Sequence, residues 1–101
     1  MANKKTEYRL APKAVEDMEE IWLYSFTNWS AKQADSYIDD LTEAFEFLVQ
    51  NSKAGTPCDY IRQSYRRHPV NSHIIFYRET EFGVEVMRVL HARMLPSLHL
   101  G

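Results

Sequence analysis

Six of the seven basic residues beyond position 51 are arginines: Arg62, Arg66, Arg67, Arg78, Arg88 and Arg93. A guanidinium is a planar fork that meets phosphate or carboxylate at two points, whereas a lysine is a solvated point charge. A surface built from these residues suits an anionic partner. Four histidines are present, His68, His73, His91 and His99. His91 stands between Arg88 and Arg93. A ribonuclease could use it as general acid or base, with arginines stabilising the phosphorane. The plainer alternatives are scattered, solvated cations and a half-exposed histidine at a strand end. The histidines have no i, i+4 or H-E-x-x-H spacing and no cysteine company, which argues against a metal site. Cys58 beside Asp59 lacks the cationic setting that activates a thiol, so it reads as a packed or loop cysteine. No cofactor is expected.

The charge is divided along the chain. Residues 1–50 hold five Lys/Arg against ten Asp/Glu, a net of −5, and residues 51–101 hold seven against four, a net of +3. The second half therefore looks like the part that meets an anion. The overall pI of about 6.1 is not that of a domain built for duplex nucleic acid, so direct sequence-specific binding is not expected. With 101 residues, 45% hydrophobic and 13% aromatic, the chain is long enough for one packed domain and too short for two. Its apolar runs are only a few residues long, which predicts no membrane span. Residues 1–9 are polar and charged without an apolar stretch, so no secretory signal is expected. One cysteine and no internal disulfide fit a reducing, cytoplasmic setting.

The elements that must position these residues follow from periodicity. Residues 7–10 read as a short strand with Tyr8 and Leu10 on one face. Pro12 is suited to the first position of a helix. Apolar spacing at Ala14, Met18, Ile21, Trp22 and Trp29 predicts a helix over 12–28. Glu16, Asp17, Glu19 and Glu20 are expected in its opening turns, where the helix dipole favours negative charge. Ser30 followed by Gln33 fits a capping box. A second helix should run from there to about Asn51, with Ala34, Tyr37, Ile38, Leu41, Ala44, Phe45 and Leu48 as its apolar stripe. The junction is so short that the two helices must form an antiparallel hairpin. Trp22, Tyr24, Phe26 and Trp29 are wider than one core face requires, so part of that cluster is expected to be exposed and to await a partner.

Residues 51–57 carry turn chemistry, and the period then changes to two. Alternation over 65–70, an Ile/Phe/Tyr-rich run over 72–78 and a run over 84–91 predict three strands, the last two joined by a loop over 79–83. In the last strand Val84, Val86, Arg88 and Leu90 are expected on one face. Residues 93–101 read as a tail, since Pro96 cannot continue a central strand. The order β-α-α-β-β-β defines an α+β fold, with a helical hairpin on one face of a small, mainly antiparallel sheet. The arginines are then expected to converge on the other face or its rim.

Nearly the whole chain resembles the ParE-type toxins of the RelE/ParE toxin–antitoxin superfamily. The resemblance rests on Tyr8 to Pro12 followed by Ala14, Asp17 and Glu19 to Ile21; on Trp29-Ser30, Gln33-Ala34 and Tyr37; and on Asn51 with Gly55 to Pro57. Its most specific pieces are Ile61-Arg62, Tyr65-Arg66, His73 to Arg78 and Arg88 to Met94. Ser52 replaces a frequent proline, and Leu95 a common acidic residue before the tail proline. The resemblance implies a toxin that inhibits DNA gyrase without being an enzyme. It also implies a cognate, ParD-like antitoxin with a disordered, acidic C-terminal segment. The superfamily's other activity is ribosome-dependent mRNA cleavage by RelE-like members, which use basic residues with a tyrosine or histidine near the C-terminus. No tyrosine follows Tyr77 and no lysine follows Lys53, so the cleavage set is incomplete; His91 with Arg66 and Arg88 would be its remnant. Arg62, Arg66, Arg88, His91 and Arg93 are expected to face gyrase, and Trp22, Phe26 and Trp29 to meet the antitoxin.

Overall fold

A computed structural model of the chain describes residues 7–100. In chain order it contains β1 (Glu7–Leu10), α1 (Pro12–Asn28), α2 (Ala31–Gln50), β2 (Thr56–Pro57), β3 (Arg66–Val70), β4 (His73–Glu79), β5 (Gly83–His91) and α3 (Pro96–His99). The five strands form one sheet in the order β1-β5-β4-β3-β2. β1 runs parallel to β5, and every other pairing is antiparallel.

Both long helices match their periodicity. Pro12 opens α1, and the Ser30 hydroxyl accepts the Gln33 N–H at 3.1 Å to cap α2. The first turn of α1 contains no acidic residue, which corrects the expectation for its carboxylates. Dipole stabilisation fades within one turn, so Glu16, Asp17, Glu19 and Glu20 are placed for other work. α1 buries Ala14, Asp17, Ile21 and Ser25, whereas Trp29 is 69% exposed and lies outside the core. α2 buries Leu41, Phe45, Leu48 and Val49 in one cluster with Tyr77, Val84, Val86 and Val89 of the sheet, and Ala34 is buried nearer its start.

The strict alternation expected for the last strand is broken. The β4–β5 register shifts between Phe76 and Tyr77: Phe76 faces Arg88, but Tyr77 faces Val86, so Met87 is the extra residue of a β-bulge. Parity inverts there. Val84, Val86 and Val89 all reach the helix-side core, while Leu90 joins Ile74 and Phe76 in a second cluster on the opposite face. That second face is not open. Cys58, fully buried, and Leu100 complete its cluster, with Ile61 and Tyr65 packed alongside. The residues read as a tail thus fold back as α3, with Pro96 in its first turn, and close a small second core.

Candidate functional site

The six arginines do not all share one sheet face: the register sets Arg67 and Arg88 on either side of Phe76, on the face away from the long helices, whereas Arg66 pairs with Tyr77 of the helix-side core and Arg62 and Arg93 lie outside the strands. β1 covers only residues 83–86 of β5, so the outer edge of β5 is unpaired beyond Val86. Asp17 of α1 closes it. One carboxylate oxygen accepts the Val89 backbone N–H at 2.9 Å and the Arg88 Nε at 2.8 Å; the other accepts Arg88 Nη2 at 2.9 Å. The pair is nearly buried, with side-chain exposures of 15% and 10%. The hydrogen bonds that Arg88 donates to Asp17 hold its pKa above the ordinary value. A third donor, Nη1, reaches the His99 carbonyl at 2.9 Å. Arg88 therefore ties α1, β5 and α3 together.

Arg66 is also committed. Its Nη1 donates to the Gly55 carbonyl at 2.7 Å, and its Nε lies 3.5 Å from Glu79. Alongside it, the Tyr77 hydroxyl donates to the Ser52 carbonyl at 2.7 Å and accepts the Gly55 N–H at 2.9 Å. A Cβ on Gly55 would lie 2.5 Å from that hydroxyl, which is why the clamped loop needs glycine there. Arg78 pairs with Glu85 across the β4–β5 ladder at 2.6 Å. The physical reason for this dispersal is local pairing: carboxylates on neighbouring elements capture guanidinium groups that the sequence leaves apparently idle.

Two of the expected arginines remain at the surface. Arg62 is exposed, donates to the Leu100 carbonyl at 3.3 Å and lies 6.0 Å from the Tyr65 ring centroid. Arg93 is exposed just past β5, beside Met94 and Leu95, which are 45% and 63% exposed; Leu98 is exposed on α3. His91, half-buried at the end of β5, accepts the Arg93 N–H on Nδ1 at 3.1 Å. Its ring packs edge-on against His73 at 5.3 Å. The Tyr37 hydroxyl lies 2.6 Å from His73 Nδ1 and accepts the Ser72 N–H at 3.2 Å. Burial, reinforced by His91, lowers the His73 pKa to about 4. A neutral His73 is the form that accepts the Tyr37 proton. Arg66, Arg88 and His91 are not assembled around one point: Arg66 reaches toward the loop beside β3, and Arg88 toward α1 at the far edge of β5.

The aromatic cluster of α1 is largely outside. Trp22 is half-buried; its Nε1 donates to Asp35 of α2 at 2.9 Å, and its ring stacks on Phe26 at 5.1 Å. Phe26 is 47% and Tyr24 67% exposed. Sequence reasoning missed two residues that organise the site, Asp17 and Leu100. Asp17 meets Arg88 across 71 positions, and no local pattern signals such a pair. Leu100 had only its apolar character.

The fold is thus a two-helix hairpin on a five-stranded mixed sheet, with a short C-terminal helix behind it. A solved chain titled "Chromosomal ParDE TA system from P. aeruginosa" shares it, with a TM-score of 0.74 over 87% of this chain and 97% of that one, at 17% identity. The model of the ParE toxin of the type II toxin–antitoxin system parDE matches residues 8–96, and the chain belongs to that family. It is 38% identical to Toxin ParE1 of Caulobacter vibrioides over 94 residues, covering 93% of this chain and 97% of that protein. It is 40% identical to Toxin ParE1 of Mycobacterium tuberculosis over 90 residues, covering 88% and 92%. Among the described residues no helix is long and apolar enough to cross a membrane.

Proposed function

We propose that this toxin acts in the cytoplasm as a single domain that binds DNA gyrase and blocks replication, and that a cognate ParD-like antitoxin neutralises it. It works as a protein–protein inhibitor, not as an enzyme. Family membership across residues 8–96 carries the reading. Arg62, His91 and Arg93, with exposed Met94, Leu95 and Leu98, face gyrase, while Arg66 and Arg88 hold that surface in place from within. Commitment of Arg66 and Arg88 to carboxylates and carbonyls on separate elements supports the non-enzymatic reading over mRNA cleavage around His91. Trp22, Phe26 and Trp29 supply the antitoxin contact, since large exposed apolar patches on small proteins mark interaction sites. Purified protein should inhibit gyrase supercoiling and raise the yield of linear DNA in a cleavage assay, leaving ribosome-bound transcripts intact. Absence of any gyrase effect at high molar excess, or cleaved transcripts, overturns the proposal.

A further inference from the structure

The aromatic face of α1 lies in a field of carboxylates. Residues 12–50 hold nine Asp/Glu against two lysines. Val15, Trp22 and Phe26 recur at i, i+7 and i+11, so they form one ridge along α1, with Glu19 on its flank and the exposed C-cap residue Trp29 just past its end. On α2, Asp35, Asp39 and Glu46 fall at i, i+4 and i+11, on the same side of the helix. The Trp22–Asp35 hydrogen bond shows that this side faces the ridge. All three are exposed. Among the described residues Glu19, Asp39 and Glu46 form no ion pair. The stripe ends at a shallow cavity of about 530 Å³ where Tyr8 and Val49 give apolar surface and Glu7 and Glu46 give carboxylates. That combination suits a lysine or arginine, whose aliphatic stem covers apolar surface while its head meets an anion.

We infer that the ridge and its acidic flank take a cationic amphipathic helix: a partner segment with an apolar stripe bordered by Lys and Arg. The inference rests on the reading of Trp22, Phe26 and Trp29 as the antitoxin contact, and it assigns the chemistry of the docking segment. Like charges across an interface disfavour a partner as strongly as opposite charges select one. An acidic antitoxin segment is therefore excluded from the helical hairpin and belongs with the arginines of the second half. The antitoxin must be charge-divided along its length, as the toxin is.

The direct test uses the full-length toxin and two synthetic helices with the same leucine stripe, one flanked by Lys and Arg and the other by Glu. The cationic helix should bind about tenfold or more tightly at low salt, and the advantage should shrink in high salt. Asp39→Lys with Glu46→Lys should abolish or invert the preference, and both positions are exposed, so folding is preserved. Equal affinities, a preference for the acidic helix, or a preference that survives the charge reversal overturns the inference. A second arm titrates the antitoxin that co-purifies with the toxin. If Phe26→Ala with Trp29→Ala weakens it while the charge reversal leaves it unchanged, the charge assignment fails and the docking reading stands. If Phe26→Ala with Trp29→Ala leaves it unchanged, the docking reading itself fails.

Discussion

Arg88 and Arg93 sit five residues apart and do opposite things. Arg88 lies where β5 has lost its neighbouring strand, and a carboxylate on α1 fills that edge, so its charge is spent on the fold. Arg93 lies two residues past the end of the strand, beside exposed Met94 and Leu95, and among the described residues it forms no ion pair. Arg66 is committed in the same way as Arg88, to a loop carbonyl and to Glu79. A cationic run in a sequence is thus two populations. Which member is free to meet a partner depends on where the sheet leaves an edge and where a helix supplies an acid.

The contrast can be broken most severely at the inner pair. Asp17→Ala should destabilise the protein by about 3–5 kcal/mol, because it strands a nearly buried guanidinium and the Val89 N–H. Urea unfolding reads this directly. Asp17→Leu with Arg88→Met should recover most of the loss, since the lone buried charge is then gone; no recovery would show that Arg88 matters mainly through the His99 carbonyl.

Acid is the next lever, through His73. Its folded pKa of about 4 lies below its unfolded value, so its contribution is present at neutral pH and is lost as pH falls from about 6.5 toward 4. After allowance for partial exposure this amounts to roughly 2–3 kcal/mol. The groups facing it are Tyr37 on α2, His91 on β5 and Asp17 on α1. His73→Gln should flatten the stability profile across that window, and an unchanged slope would move the acid sensitivity elsewhere.

A smaller effect belongs to the loop clamp. Tyr77→Phe removes a hydroxyl that serves both Ser52 and Gly55 and should cost about 1–2 kcal/mol in thermal or urea unfolding. The smallest is expected at the outer arginine: Arg93→Ala should change stability by no more than about 0.5 kcal/mol, since it deletes an exposed side chain. A larger loss would place Arg93 with Arg88.

The helices were legible because an apolar stripe repeats over five turns and Pro12 and Ser30 mark their starts. The strands were legible as segments, but their facing was not. One extra residue at Met87 reverses everything after it, although the apolar set Val84, Val86, Val89 already changes parity at that point. The exposure of Trp29 and Phe26 followed from an aromatic face too wide for one core. The fate of Arg88 was hidden, because its partner lies 71 positions away, on a helix whose acids looked like dipole ligands. The tail gave no periodic signal, and its short helix is held from outside, by Arg88, Arg62 and the pocket that receives Leu100.

The division between inner and outer arginines is tested most directly by titrating gyrase supercoiling with wild-type protein and with Arg93→Glu at matched thermal stability. The variant should fold as the wild type does and need about tenfold or more protein for the same inhibition, the equivalent of about 1.4 kcal/mol of lost binding. Equal potency of the two proteins would contradict it.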